Sequence, residues 1–225
     1  MSILLAGDST VAPPKPEEFP LSGWGGALHE FVPDRISNHA VGGATTTSFI
    51  EEGRWSALLA ELRDDDTVII QFGHNDQKYA PLVRAIALYR ANLRAFVLAV
   101  RARGAHPVLA TSPERRLFSR ESLRRSHGPF PQIVRDLGHD LGVPVIDLTA
   151  FTRWLYVWLG PDDSRKLFVH LEPGVSAHWP EGVEDNTHFT VEGARAIACF
   201  VAESLAAIRR VGEDANPIGK WGVQP

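Results

Sequence analysis

Cysteine is almost missing: Cys199 is the only one in 225 residues, so no internal disulfide can staple the fold. Its setting, Ala196-Ile197-Ala198-Cys199-Phe200, reads as a small buried hydrophobe, not a reactive thiol. Long apolar runs are missing too. No stretch approaches the ~20 residues of a membrane-crossing helix, so no membrane partner is expected. There is no excess of positive charge: the formal net charge is -4, which gives no bulk field for nucleic acid or an anionic membrane. Gly-x-Ser-x-Gly is absent around Ser9, because Val11 stands where its second glycine belongs. That argues against the usual nucleophile elbow of an α/β-hydrolase. Without a Walker or dinucleotide glycine pattern, nucleotide chemistry is not expected either. No basic n-region precedes the first apolar run at Ser2, so the chain as given reads as cytoplasmic. A secreted chain trimmed of its signal and restarted at Met1 would read the same.

Hydrophobic residues make up 44% and charged residues 22%, ordinary values for a globular protein. Strands are expected at Ser2–Ala6, Arg35–Ala40, Thr67–Phe72, His106–Thr111 and Val143–Leu148. Helical patterns alternate with them, at Trp24–Val32, Trp55–Leu62, Leu82–Arg103, Gly128–Leu141 and Phe151–Leu159. In the third of these, Leu88, Leu93, Phe96, Val97 and Val100 fall mostly on one face. A final helix, capped by Thr190, runs through Arg210, with Ala194, Ile197, Ala198, Val201, Leu205 and Ile208 at helical spacing. Pro161–Asp185 shows no regular pattern, and residues 211–225, with Pro217, Gly219, Gly222 and Pro225, read as an irregular tail. Continuous alternation predicts one α/β domain over residues 1–225, with its core at about 2–210 and about five parallel strands covered on both faces.

Three motifs fall just after the first three strands: Gly7-Asp8-Ser9-Thr10, Gly42-Gly43 and Gly73-His74-Asn75-Asp76. Open α/β sheets bind ligands there, beyond the carboxyl ends of the strands. Asp185-Asn186-Thr187-His188 enters the last helix from a loop that can reach the same edge. Singly, each is ordinary: Ser9 a turn residue or cap, the glycines a turn, Asn75 and Asp185 turn-formers, His188 a surface histidine. Jointly they supply the parts of acyl transfer. A serine hydroxyl needs a base to take its proton, a neutral imidazole can do so, and a carboxylate must orient it. The Ser9 amide, a glycine amide and the Asn75 side chain would supply oxyanion donors.

The four blocks, with Asn38-His39-Ala40-Val41-Gly42-Gly43 as the second, resemble those of the SGNH (GDSL) hydrolases in order. Phe72-Gly73-His74-Asn75-Asp76, Ile146-Asp147-Leu148 and Leu167-Phe168 are similar to the rhamnogalacturonan acetylesterase branch, over about residues 3–208. The resemblance implies a flavodoxin-like three-layer α/β/α sandwich and metal-free serine esterase chemistry with no cofactor. It implies Ser9 as nucleophile, Asp185 as acid and His188 as base, with Ser9, Gly43 and Asn75 forming the oxyanion hole. The expected substrate is a small acetylated carbohydrate. The chain departs from the family at Ala44-Thr45, where arginine and serine are usual, and at Thr111-Ser112-Pro113-Glu114-Arg115-Arg116, where the branch has a proline pair. Those departures bear on polysaccharide specificity and leave the triad intact.

His74, Arg115 and Trp179 are candidate substrate contacts, through loop tuning, uronate pairing and sugar stacking; Arg116 and Lys166 are further cations for a uronate. Core packing for Trp179 and solvated charge for the cations are the plainer readings. The remaining tryptophans are most simply core. Asp8 and Asp76 are expected to fix the turns around Ser9 and Asn75. His170, His178, Asp185 and His188 have spacings too long for an ordinary zinc motif. A lipase or thioesterase of the same fold, an idle carbohydrate-binding copy and a metal hydrolase are the competing readings. A monomer and a homodimer are equally compatible with the sequence, and Trp221 in the tail packs either on its own domain or on a neighbour.

Overall fold

The computed structural model describes residues 1–78 and 81–215; Trp221 and most of the expected tail lie outside them. In chain order the strands are β1 (Ser2–Gly7), β2 (Leu21–Ser22), β3 (Arg35–Asn38), β4 (Thr67–Gln71), β5 (His106–Ala110), β6 (Phe118–Ser119), β7 (Ser122–Leu123), β8 (Val145–Ile146), β9 (Phe168–Leu171) and β10 (Val183–Thr190). The α-helices are α1 (Trp24–Ala27), α2 (Thr46–Glu51), α3 (Arg54–Glu61), α4 (Leu82–Arg101), α5 (Phe130–Leu141), α6 (Leu148–Arg165) and α7 (Val191–Ala215).

Five strands form a parallel sheet in the order β3-β1-β4-β5-β8. Side chains alternate across it, as strand geometry requires. Leu4, Ala6, Val68 and Ile70 face a core with Phe49, Trp55, Tyr89 and Phe96 from α2, α3 and α4. Ile3, Leu5 and Ile69 face the other core, with Trp24, Tyr156, Ile197 and Val201 from α1, α6 and α7. This is the expected three-layer α/β fold. Strand order reverses around β1, because β3 and β4 lie on its two sides. The carboxyl end of β1 is therefore the switch point where such sheets open a crevice.

Several expected boundaries move. The strand expected over Val143–Leu148 shrinks to β8, because Asp147 caps α6 by accepting from the Ala150 amide at 3.1 Å. The helix from Phe151 thus begins at Leu148 and extends to Arg165 through a break at Gly160. The expected Trp24–Val32 helix is α1 followed by a 3-10 turn at Leu28–Glu30. The threonine run after Gly43 forms α2, whose N-terminus Thr45 and Ser48 close with a reciprocal capping box. Leu88 is 40% exposed, so the buried stripe of α4 runs instead through Ala85, Tyr89, Leu93, Phe96, Val97 and Val100. Pro161–Asp185 is not patternless: it contains the end of α6, β9 and the start of β10. The last helix continues past Arg210 to Ala215, so the tail does not begin at 211. No proline lies between Arg210 and Pro217, and a glycine such as Gly212 is tolerated in a helix at a cost of about 1 kcal/mol. Cys199 is only partly buried, and Trp154 and Trp158 are 60% and 70% exposed, not core.

Candidate active site

Ser9 sits in the turn after β1. The Val11 and Ala12 amides both donate to the Asp8 carbonyl at 3.0 Å. Asp8 Oδ1 accepts from the Thr10 amide at 3.0 Å and from Thr10 Oγ1 at 2.8 Å. Gln71 Nε2 donates to Thr10 Oγ1 at 2.8 Å, and Trp24 Nε1 donates to Gln71 Oε1 at 2.7 Å. This buried chain ties the serine turn to β4 and to α1. Asp76 repeats the device, accepting at Oδ1 from the Thr46 amide and hydroxyl at 2.9 and 2.7 Å. It thereby joins the Asn75 turn to α2, as expected of both aspartates.

Asp185 and His188 lie on β10, not on a loop. β10 is the middle strand of a small antiparallel sheet, β2-β10-β9. Its pairing with β9 shifts register between Glu184 and Phe189, the stretch that holds both residues. The reason is local. Asp185 Oδ1 takes the amides of Thr187 and His188 at 2.7 and 2.9 Å, which removes them from regular pairing. Asp185 Oδ2 then lies 2.6 Å from His188 Nδ1, and His188 Nε2 lies 2.9 Å from Ser9 Oγ. With the proton on Nδ1 donated to the carboxylate, the Nε2 lone pair faces the serine hydroxyl. Burial by itself raises the Asp185 pKa, but the bonds and charge of His188 with the two amides outweigh it and hold the group below the usual carboxylate range. The acid is thus anionic at neutral pH. The arrangement can deprotonate a serine for attack on a carbonyl.

The remaining candidates separate into those at this site and those elsewhere. Gly43 has φ of 80°, a conformation that favours glycine. A Cβ on Gly42 would lie 3.9 Å from the Ser9 Cβ, so this loop passes directly over the serine. Among the described residues, the amides of Ser9 and Gly43 donate to no other protein group. Asn75 is buried, with its Oδ1 accepting from Lys78 Nζ at 2.8 Å and its Nδ2 donating to the Ala44 carbonyl at 3.0 Å. One amide hydrogen is left over and its orientation is fixed. His74 is 3% exposed and stands edge-on to His127, with ring centroids 4.4 Å apart. Neither of its ring nitrogens has a protein partner. Burial, then the charges of His127 and Arg115, holds its pKa well below the usual value, so it is a neutral ring beneath the site and not a surface contact. Arg115 reaches it by donating from Nη2 to the His74 carbonyl at 3.3 Å. Trp179 packs edge-on to His178 at 4.5 Å in the loop between β9 and β10, and no hydrogen bond or ring contact joins it to the triad among the described residues. No three His, Cys, Asp or Glu side chains converge as a metal site among those residues, so the four-residue zinc set does not assemble.

One residue at the site carried no signal in sequence for the role it takes. The Arg116 amide donates to the Asn186 carbonyl at 2.9 Å, and its Nη1 donates to Asn186 Oδ1 at 2.8 Å. Its Nε donates to Ser164 Oγ at 3.0 Å and its Nη2 to the Pro161 carbonyl. Arg116 therefore clamps the segment between acid and base onto the loop after β5 and the end of α6.

Known proteins resemble this chain in sequence and in fold. The chain is 42% identical, over 91% of its length and 89% of the relative's, to the rhamnogalacturonan acetylesterase RhgT of Bacillus subtilis. It is 25% identical, over 88% of its length and 81% of the relative's, to the rhamnogalacturonan acetylesterase of Emericella nidulans. Among solved structures, protein YxiM of Bacillus subtilis superposes with a TM-score of 0.76 at 24% identity, over 94% of this chain and 56% of that one. The chain thus spans little more than half of that structure. The acetylxylan esterase Axe2 of Geobacillus stearothermophilus shares the fold, with a TM-score of 0.63 at 19% identity over 90% and 93% of the two chains. The GDSL-like Lipase/Acylhydrolase family matches residues 5–196, the span that carries Ser9, Asn75, Asp185 and His188, and the chain belongs to that family.

Proposed function

We propose that the protein is a carbohydrate O-acetylesterase that uses Ser9, His188 and Asp185 as its triad. The observation that carries this reading is the unbroken line from Asp185 Oδ2 through His188 to Ser9 Oγ, at 2.6 and 2.9 Å, at the carboxyl end of β1. Ser9 Oγ attacks the acetyl carbonyl while His188 Nε2 takes its proton. The tetrahedral oxyanion is held by the Ser9 and Gly43 amides and by the free amide hydrogen of Asn75. His188 returns the proton to the departing sugar oxygen, leaving an acetyl-serine. Water, deprotonated by the same nitrogen, attacks that ester; acetate leaves and Ser9 is reprotonated. The acetylesterase relatives support a carbohydrate ester as substrate, and the nearness in sequence to RhgT favours rhamnogalacturonan-derived oligosaccharides.

The test is acetate release from an aryl acetate, acetylated rhamnogalacturonan oligosaccharides and acetylated xylo-oligosaccharides. Ser9→Ala is expected to lower kcat by about 10⁴–10⁶-fold on every ester. Asn75→Ala is expected to lower kcat by about 10²–10³-fold, the usual effect of losing one oxyanion donor. Activity that survives Ser9→Ala overturns the mechanism. Faster turnover of long-chain acyl esters or thioesters than of any acetylated sugar overturns the substrate.

A further inference from the structure

A helix that is apolar all round belongs in an interior, and α6 is such a helix over its first three turns. From Leu148 to Leu159 its only charge is Arg153, whose Nη2 donates to the Leu123 carbonyl at 3.1 Å. Leu148, Thr152 and Tyr156 are buried against the core. Yet Ala150, Trp154, Val157 and Trp158, which share one face by helical spacing, are all exposed. The other long helices turn charge outward instead: Arg90, Arg94 and Arg101 on α4, and Glu192, Arg195 and Glu203 on α7.

The exposed rings are held in a row. Trp158 stacks on Trp154 with centroids 6.1 Å apart and planes 10° apart. Trp154 lies 6.1 Å from Phe151, which stacks on Phe200 of α7 at 3.9 Å and 2°. With Trp154, Val157 and Trp158 exposed to 60%, 56% and 70%, on the order of 400 Å² of apolar surface lies open. A contiguous patch of that size marks a contact site. It is roughly half of the ~800 Å² that each partner buries in a stable interface, and the half-buried Phe151, Leu155 and Phe200 extend it.

A sugar chain would need polar side chains beside the rings for its hydroxyls, and none stands on this face. A second copy fits better, because the face is complementary to itself. When two α6 helices cross antiparallel about a twofold axis at Trp154, the small Ala150 of each lies opposite the large Trp158 of the other, four residues to either side of the axis. Small against large is how facing layers interdigitate.

We infer that the protein forms a twofold dimer through the outer face of α6, with Trp154 at the axis and Trp158 packed over the partner subunit's Ala150. This inference stands apart from the esterase reading.

The test is sedimentation velocity from about 1 to about 100 µM, a range wide enough to move a dimer equilibrium by mass action. The wild type is expected to be dimeric in the upper part of that range. Trp158→Arg and Ala150→Glu should each raise the dimer Kd by about 100-fold or more, because two central contacts go from each dimer. Mixed together, the two variants should dimerise again: one contact then sets the new cation against the new carboxylate, and the other keeps Ala150 against Trp158. Leu98→Glu, on the outer face of α4, should leave the Kd alone. All these positions are exposed, so far-ultraviolet circular dichroism is expected to match the wild type. A wild type that stays monomeric overturns the dimer, whether residues 216–225, a sugar chain or solvent then covers the face. A dimer indifferent to Trp158→Arg overturns it too, as does a mixture that stays monomeric. Ser9→Ala should dimerise as the wild type does, so loss of the esterase and loss of the dimer are read apart.

Discussion

Asp8 lies fully buried beneath the turn that carries Ser9, and its Oδ2 has no partner. Burial pushes its pKa up from 3.8 to about 6, against the two bonds from Thr10 that pull it down. An unfolded aspartate ionises near ~3.9. Between those values the unfolded chain has released a proton that the folded chain still holds. The contribution of Asp8 to stability is therefore full below about pH 4 and is lost as pH rises through about 6. Asp185, held low, acts in the opposite sense: its contribution is present above about pH 4 and is lost as pH falls through its lowered value. Asp8→Asn keeps the shape of the protonated acid and removes its titration. Urea unfolding at about pH 4 and about pH 8 should show the variant gaining on the wild type by roughly 3 kcal/mol at the higher pH. A gap that stays constant with pH would mean that Asp8 is ionised throughout.

At the scale of elements, the junction between β10 and α7 matters most, because His188 lies just before it. Thr190 Oγ1 accepts from the Gly193 amide at 3.2 Å, the cap expected from sequence. A Cβ on Gly193 would meet the Leu167 carbonyl oxygen at 2.1 Å, and backbone cannot move aside as a flexible side chain can. Gly193→Ala should therefore lower stability by about 1–3 kcal/mol, as overpacking does, and should lower kcat as well, through the displaced base. Denaturant midpoints with acetate-release rates would check both; an unaltered midpoint would show that the junction yields freely. The helices were legible because an amphipathic period is a local signal: α7 places Ala194, Ile197, Ala198, Val201 and Leu205 in the core at their expected spacing. β10 was not legible. Val-Glu-Asp-Asn-Thr-His-Phe-Thr has no clean alternation, and its strand character depends on β9, across an irregular loop, and on β2, which is remote in sequence. The capping box of α2 was present in the sequence, but six threonine-rich residues carry too weak a period to announce a helix.

Across the whole molecule, one sheet carries a core on each face, with Trp24 in one and Trp55 in the other. Sharing the same strands should make both faces unfold together. Fluorescence of Trp24→Phe and Trp55→Phe, set beside far-ultraviolet circular dichroism, is expected to give coincident denaturant midpoints. Separated midpoints would mean that the two faces fold as independent units. The triad candidates were readable because each sits in a short motif after a strand or before a helix, where architecture places sites. The Arg116–Asn186 clamp was not readable: its partners are 70 residues apart and neither type signals the other.

Ser9 and His188 meet across 179 positions of sequence. A ribosome-bound chain that has emerged only as far as α6 carries the nucleophile and no base to activate it. Chemistry can begin only when β10 has been made and has seated beside β2 and β9. Esterase turnover thus reports that synthesis has passed β10, and it is silent in every product truncated before His188.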